Sequence, residues 1–260
     1  IVRGLMPPGA IGGLEFLFKF DPDAFTWSAL LQAMGFTFFS LCVGCGCMLT
    51  YGSYLDQNSN LVNGCLWITF LAVIASILGG LMIMPSVFAF GLDPSAGPGL
   101  TFITMPAVFA QLPFGQVFAV IFYLCIAVAA ITSSVSMIEI VVAFLVDEHK
   151  MKRAGAAMLS TLALAGVGAL PCLSFGKLSD VTFFGGKTIF DLFDFFTSNI
   201  SLPVGGLIIL WLAGVRCWPQ IRENITRNTS LSEGAVKFLR LMMIGFSPVL
   251  VLVVLVSGLV

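Results

Sequence analysis

Residues 38–54 read FFSLCVGCGCMLTYGSY, near the middle of a run (25–55) long enough to cross a membrane. A membrane helix needs about 20 predominantly apolar residues at about 1.5 Å each. Gly44 and Gly46 stand two apart in this stretch, with Ser40 just ahead of them. Glycine permits unwinding, and inside lipid the freed N–H and C=O groups find no water, so a broken span must line protein or a cavity. Two readings are open. The glycines and Ser40 form a break that builds a binding site, or they are small residues that let helices pack closely.

The rest of the chain sets the solvent in which that stretch must be read. Of 260 residues, 58% are apolar and only 10% are Asp, Glu, Lys or Arg, with a mean hydropathy of +1.05. A soluble domain carries about 25% charged residues, so this chain could not cover a globular surface with water-compatible side chains. It reads as an all-α integral membrane protein. Five further runs are long and apolar enough to span: 62–90, 116–146, 154–173, 189–215 and 235–259, giving six crossings with 25–55. Residues 91–115 are rich in Pro and Gly yet still apolar, and are expected to form short helices folded back onto the membrane domain rather than a free linker. The chain is expected to form a single transmembrane domain, since no soluble domain, low-complexity tract or tandem repeat is visible.

Charge excludes some functions and orients the rest. Twelve basic residues face 13 acidic ones for a net of −1, and no basic run or stripe suits a phosphate backbone, which excludes nucleic acid. The loops after the first, third and fifth crossings and the start of the last helix hold Lys150, Lys152, Arg153, Arg216, Arg222, Arg227, Lys237 and Arg240; the other side holds Arg3, Lys19, Lys177 and Lys187. The first group is therefore expected in the cytoplasm, with the N-terminal residues outside. The opening residues 1–20 lack the pattern of a signal peptide. With no Met at position 1 and an outside start, the chain is expected to be the C-terminal part of a longer protein whose upstream helices precede it.

Polar atoms inside the spans carry the chemistry. The third span holds Thr132, Ser133, Ser134 and Ser136, with Glu139 close behind. Hydroxyls in membrane helices bond back to their own backbone, but this density beside a carboxylate also suits a hard cation such as Na⁺, which takes oxygen ligands. Cys42, Cys45 and Cys47 superficially suggest a metal–thiolate centre, yet no second Cys pair stands at zinc spacing and the single His, His149, lies in a loop. Cys47, Cys65 and Cys125 lie inside apolar runs and are expected to behave as small buried hydrophobes. Asp191 and Asp194 are three apart at the outer end of the fifth span and read as gate charges or partners of the helix dipole rather than a catalytic dyad. No nucleophile with an adjacent base and no phosphate-binding loop argues for an enzyme.

These motifs together resemble the neurotransmitter:sodium symporters, most closely the prokaryotic amino-acid-transporting branch with the LeuT fold. PPGAIGGLEFLFKFD (7–21) looks like the outer loop ahead of that family's sixth helix, and FFSLCVGCGCMLTYGSYL (38–55) like the unwound sixth helix itself. MPSVFAFGLDPSAGPGLTFITMPAVF (84–109) looks like the seventh helix and outer lid, ITSSVSMIEIVVAFLVDE (131–148) like the eighth, and FDLFDFFTSNI (190–200) like the tenth. The resemblance implies helices six to eleven, the second half of a LeuT-like inverted-repeat transporter, with helices one to five as its missing partners. It implies sodium-coupled symport of amino acids across the plasma membrane.

Carried over residue by residue, the family's substrate pocket falls on Phe39, Ser40, Cys42, Gly44, Cys45, Ser133 and Met137. Its second sodium site falls on the Ala129 carbonyl and the Thr132 and Ser133 hydroxyls, and Ser40 matches the first sodium site. Asp194 matches the outer gate, and Asp147 and Tyr54 the inner gate. Two departures matter. The first site's amide or carboxylate falls at Ala72, or Leu71 with a one-residue slip, and the Gln expected ahead of Phe-Phe is Phe36, which argues against chloride even though Ser76 offers a hydroxyl. A non-transporting scaffold or receptor-like relative is the alternative from another class, with an intramembrane enzyme behind it.

Overall fold

The computed structural model describes residues 9–19, 21–22, 25–56, 58–91, 100–178, 181–183, 186–229 and 231–259. Arg3 and residues 92–99 of the expected lid lie outside the described residues. The chain divides into two compact units, one of Ile1–Ala24 and Leu66–Ser133, the other of Phe25–Cys65 and Ser134–Val260.

In the first unit, α1 (Ala10–Phe18) crosses the C-terminal end of α4 (Leu61–Ala89). The crossing depends on a missing side chain, because a Cβ on Gly13 would come within 2.5 Å of the Pro85 Cα. Beside it the Phe16 and Phe88 rings meet with centroids 5.2 Å apart. A π-helical turn, Leu100–Thr104, leads into α5 (Met105–Gln111). Pro106 sits in the first turn of α5, where an absent N–H costs no helical bond. Met105, Val108 and Phe109 are buried with Phe122 of α6 (Gly115–Asp147), and Ile83 and Phe90 pack around them. The Tyr123 hydroxyl donates to the Thr101 carbonyl at 2.8 Å, which ties the π turn to α6. Residues 100–112 are thus anchored by apolar burial and by this bond.

The second unit opens with two short helices, α2 (Trp27–Ser40) and α3 (Cys47–Ser53), the halves of the broken first span. The Thr26 side chain caps α2 by accepting from the Ala29 N–H at 3.2 Å. Further on come α7 (Arg153–Leu173), α8 (Ile189–Phe195) and α9 (Leu202–Trp211). Then follow α10 (Trp218–Asn228), α11 (Glu233–Leu241) and α12 (Ser247–Leu259). Helix α8 starts on a capping box in which the Thr188 hydroxyl accepts from the Asp191 N–H and the Asp191 carboxylate accepts from the Thr188 N–H. Asp191 is therefore the acidic N3 partner of the Thr188 cap, in the first turn where the helix dipole favours a carboxylate. Phe196–Ser201 joins α8 to α9 as a π-helical turn, and Met242–Phe246 joins α11 to α12 in the same way. Trp218, Ile225 and Val236 form the buried centre of the α10–α11 pair.

Among the described residues, five helical segments are long and apolar enough to cross a membrane: Leu61–Ala89, Gly115–Asp147, Arg153–Leu173, Ile189–Arg216 and Glu233–Gly258. None of the most apolar window of Leu61–Ala89 is buried inside the protein. Leu66, Trp67 and Phe70 are instead exposed, a surface that lipid tolerates and water does not.

Candidate functional site at a broken helix

The break begins two residues before the first glycine. Helix α2 ends in a Schellman motif: the Cys42 N–H donates to the Phe39 carbonyl at 3.1 Å and the Val43 N–H to the Phe38 carbonyl at 2.9 Å. The residue in the left-handed position of that motif is Cys42, with φ 51. Gly44 and Gly46 follow with φ 92 and 94, and α3 starts at Cys47. Three positive-φ residues alternating over five positions turn the chain away from helix and back.

This loop is wedged against the start of α9. A Cβ on Gly44 would strike the Leu202 carbonyl, and one on Gly205 would strike the Gly44 carbonyl. Backbone meets backbone here, so both glycines are needed for the approach as well as for the fold of the loop. The two openings left by the sequence, a break and a close-packing seam, are both realised at Gly44.

Past the break, α3 lies along one turn of α6. The buried Cys47 thiol is 3.6 Å from the Met137 Sδ and 3.7 Å from the Ser136 carbonyl. The Tyr51 hydroxyl donates to Ser136 Oγ at 2.6 Å, and the Tyr54 hydroxyl donates to Glu139 Oε1 at 2.6 Å. Arg153, the first residue of α7, donates to the same Glu139 oxygen at 2.7 Å. Glu139 is mostly shielded, at 15% side-chain exposure against 65% for Arg153. Glu139 thus accepts from two side chains, one at the end of α3 and one at the start of α7. Tyr54 is brought to Glu139 rather than to Asp147, which ends α6 and offers its backbone carbonyl to Lys150 Nζ at 2.5 Å. Arg153 and Tyr51 are the functional candidates that the sequence reading missed. A signal was present: the tyrosines are three apart, like Ser136 and Glu139, so both pairs fall on helix faces that can meet.

On the other side of the break, α2, α8 with its π turn, and α12 enclose a cavity of about 730 Å³. Trp27, Gln32, Phe36, Phe39, Asp194 and Asn199 are among its lining residues. The Asp194 carboxylate accepts from Ser198 Oγ at 3.1 Å, and the Asn199 amide donates to the Gly258 carbonyl at 3.2 Å. That volume is in the range that holds small molecules. The wall is aromatic, and Asp194 is the one carboxylate among its lining residues.

Of the residues assigned to the pocket by resemblance, Phe39, Ser40, Cys42, Gly44, Cys45 and Met137 belong to this second unit. Ser133 belongs to the first unit with Ala129 and Thr132. The Thr132 hydroxyl donates to the Ala129 carbonyl at 2.9 Å. Both groups are oxygens of the kind that a hard cation takes as ligands. In the same unit Ser76 donates to the Ala72 carbonyl at 2.9 Å, the backbone-bonded arrangement of a structural hydroxyl.

A glycine-broken span held against its neighbours is the kind of discontinuous helix on which many secondary transporters build their sites. The profile match covers residues 1–260, and the chain belongs to the sodium:neurotransmitter symporter family. It is 42% identical over 209 residues to the uncharacterized sodium-dependent transporter YhdH of Bacillus subtilis, covering 80% of this chain and 46% of that protein. It is 27% identical over 230 residues to the human sodium- and chloride-dependent GABA transporter 2, covering 82% of this chain and 35% of the relative. Among solved structures it is similar to MhsT in complex with L-phenylalanine, with a TM-score of 0.87 and 34% identity over 99% of this chain and 58% of that one. The chain spans about half the length of the curated bacterial relatives it matches. Its fold is the second half of the LeuT architecture in a multi-pass membrane protein.

Proposed function

We propose that this chain forms part of a sodium-coupled amino-acid symporter that works by alternating access, with the broken α2–α3 span at the substrate site. The observation that carries the reading is the break itself, a loop of positive-φ residues pinned on α9 in a fold shared with a phenylalanine-bound transporter. Phe39, Ser40, Cys42, Gly44, Cys45, Ser133 and Met137 are the proposed substrate contacts. Ala129, Thr132 and Ser133 supply oxygens to one sodium ion, and Ser40 to another whose partner position, Ala72, has no side-chain oxygen. Asp194 is the proposed outer gate, Tyr54 and Asp147 the inner one, with Glu139 and Arg153 bracing Tyr54. Phe36 argues against chloride coupling, and the bracing contacts suit gating rather than catalysis. The preferred substrate is a large apolar or aromatic amino acid, because Cys45 leaves more room than a bulkier side chain would at that wall. L-phenylalanine in MhsT is consistent with that size.

The test is binding and uptake by the complete transporter in proteoliposomes. Sodium-driven uptake of phenylalanine, tryptophan or leucine ahead of glycine and alanine is the expected result. Thr132→Ala with Ser133→Val should raise the sodium concentration for half-maximal binding at least tenfold, and Cys45→Phe should shift preference toward smaller substrates. Uptake indifferent to a sodium gradient would overturn the proposal.

A further inference from the structure

Three thiols meet at the break. The Sγ atoms of Cys42, Cys45 and Cys47 all lie within 4.8 Å of one another. Their sequence pattern, with two residues between the first pair and one between the second, lacks the double pair of a zinc ribbon. Their convergence comes from the backbone: left-handed φ values at Cys42, Gly44 and Gly46 curl the segment so that side chains which would diverge on a helix face the same space. A fourth sulfur is adjacent, the Met137 Sδ at 3.6 Å from the Cys47 Sγ.

We propose that this segment binds one soft, thiophilic metal ion of the Cu(I) class through the three cysteine sulfurs, with the Met137 thioether as an outer ligand. Metal–thiolate bonds of about 2.3 Å place the sulfurs of a trigonal set about 4.0 Å apart and those of a linear pair about 4.6 Å apart. Both spacings fall inside the observed 4.8 Å, so the ion requires rotation of thiols rather than movement of backbone. The donor set selects the ion. Sulfur-only ligation with a thioether nearby suits Cu(I), whereas a closed zinc site needs a fourth thiolate, imidazole or carboxylate, and among the described residues no His, Asp or Glu joins the group. Hard sodium would reject these ligands, so this site is chemically separate from the proposed oxygen sites. Cys42 and Cys45 are partly accessible while Cys47 is buried, which gives the ion a route to a shielded position. Each cysteine that ligates as thiolate releases its proton to solvent, so binding should tighten as pH rises.

The proposal does not depend on the transport reading, because it concerns metal binding with neither sodium nor substrate present. The purified protein in detergent, kept anaerobic and reduced, is titrated against Cu(I) held by a coloured chelator such as bicinchoninate. One Cu(I) per protein should be withdrawn, with a copper X-ray absorption spectrum showing a sulfur-only first shell. Cys42→Ser and Cys45→Ser should each weaken binding at least tenfold, while Ser at Cys65, Cys125, Cys172 and Cys217 together should leave it unchanged. Cu(I) should also raise the melting temperature of the wild-type protein, a readout that needs no variant to fold. No withdrawal of metal by wild type, undiminished binding in Cys42→Ser, loss of binding in the four-site control, or nitrogen and oxygen in the first shell would each overturn the site.

Discussion

Cys42 is the non-glycine residue among the three left-handed positions of the break. A non-glycine residue in the left-handed region costs about 1–2 kcal/mol, so Cys42→Gly should raise the thermal midpoint of the detergent-solubilised protein while removing a proposed substrate contact. Gly44 stands in the opposite situation. Gly44→Ala adds that same left-handed cost to an overpacking cost of about 1–3 kcal/mol, and Gly205→Ala drives a Cβ into the Gly44 carbonyl. Both substitutions should lower the midpoint, and the pair should cost less than the sum of the singles, because one displacement relieves both clashes. A double-mutant cycle of melting temperatures checks this. Glycine spacing made an interruption legible in the sequence. It could not show that the helix stops at Cys42, since a Schellman motif is written in backbone hydrogen bonds rather than in residue type. Thr132 carries the same lesson: sequence density pointed to an ion site or to self-bonded hydroxyls, and the structure puts its proton on the Ala129 carbonyl, a geometry compatible with either.

Helix α3 and the Tyr54 that follows it are tied to α6 by polar contacts. Their hydroxyls reach Ser136 and Glu139 on α6, and Glu139 ties that turn to the start of α7. Tyr54 and Arg153 are both exposed, so the two bonds differ in what they tie: the Tyr54 bond holds the end of α3 to Glu139 directly, whereas the Arg153 bond reaches α3 only through Glu139. Tyr54→Phe should therefore loosen α3 more than Arg153→Gln does. The buried Cys47 reports this directly: its alkylation by a membrane-permeant maleimide should quicken on the order of fivefold or more in Tyr54→Phe, and less in Arg153→Gln. Equal, unchanged rates would show that apolar contacts alone seat α3. The helices themselves were legible because lipid demands long uninterrupted apolar runs. Their π turns were not, because a widened turn at Phe196–Ser201 uses the same residue types as the helix around it. Nor was the Glu139–Arg153 pair, whose members lie on different helices and meet only through the fold.

For the molecule as a whole, charge asymmetry sets the orientation in the bilayer. If the loop carrying Arg216, Arg222 and Arg227 is cytoplasmic, then in intact cells an impermeant maleimide should label Lys177→Cys and leave Arg227→Cys untouched until the membrane is opened. Labelling in the reverse order would invert the topology and exchange the proposed inner and outer gates. Leu66, Trp67 and Phe70 are exposed and the chain reads as apolar on nearly every side, so hydrophobic periodicity, informative for soluble helices, says little here about which face meets protein.

The π turn at Phe196–Ser201 has a consequence for how the tenth helix can vary. It accommodates an extra residue within a continuous helix, so the turn holds one residue in reserve between the capped start at Thr188 and the glycines at 205 and 206. A residue lost there lets the turn close into ordinary α-helix with the flanking segments still in register. A residue lost between the turn and Gly205 has no such outlet and rotates everything beyond it by about 100° relative to Asp194. Gly205 would leave the Gly44 carbonyl and a neighbouring side chain would arrive in its place. Length is therefore as constrained as composition between 202 and 205: substitutions that keep the count can be absorbed, whereas a single-residue insertion or deletion there disengages the helix from the broken span it supports.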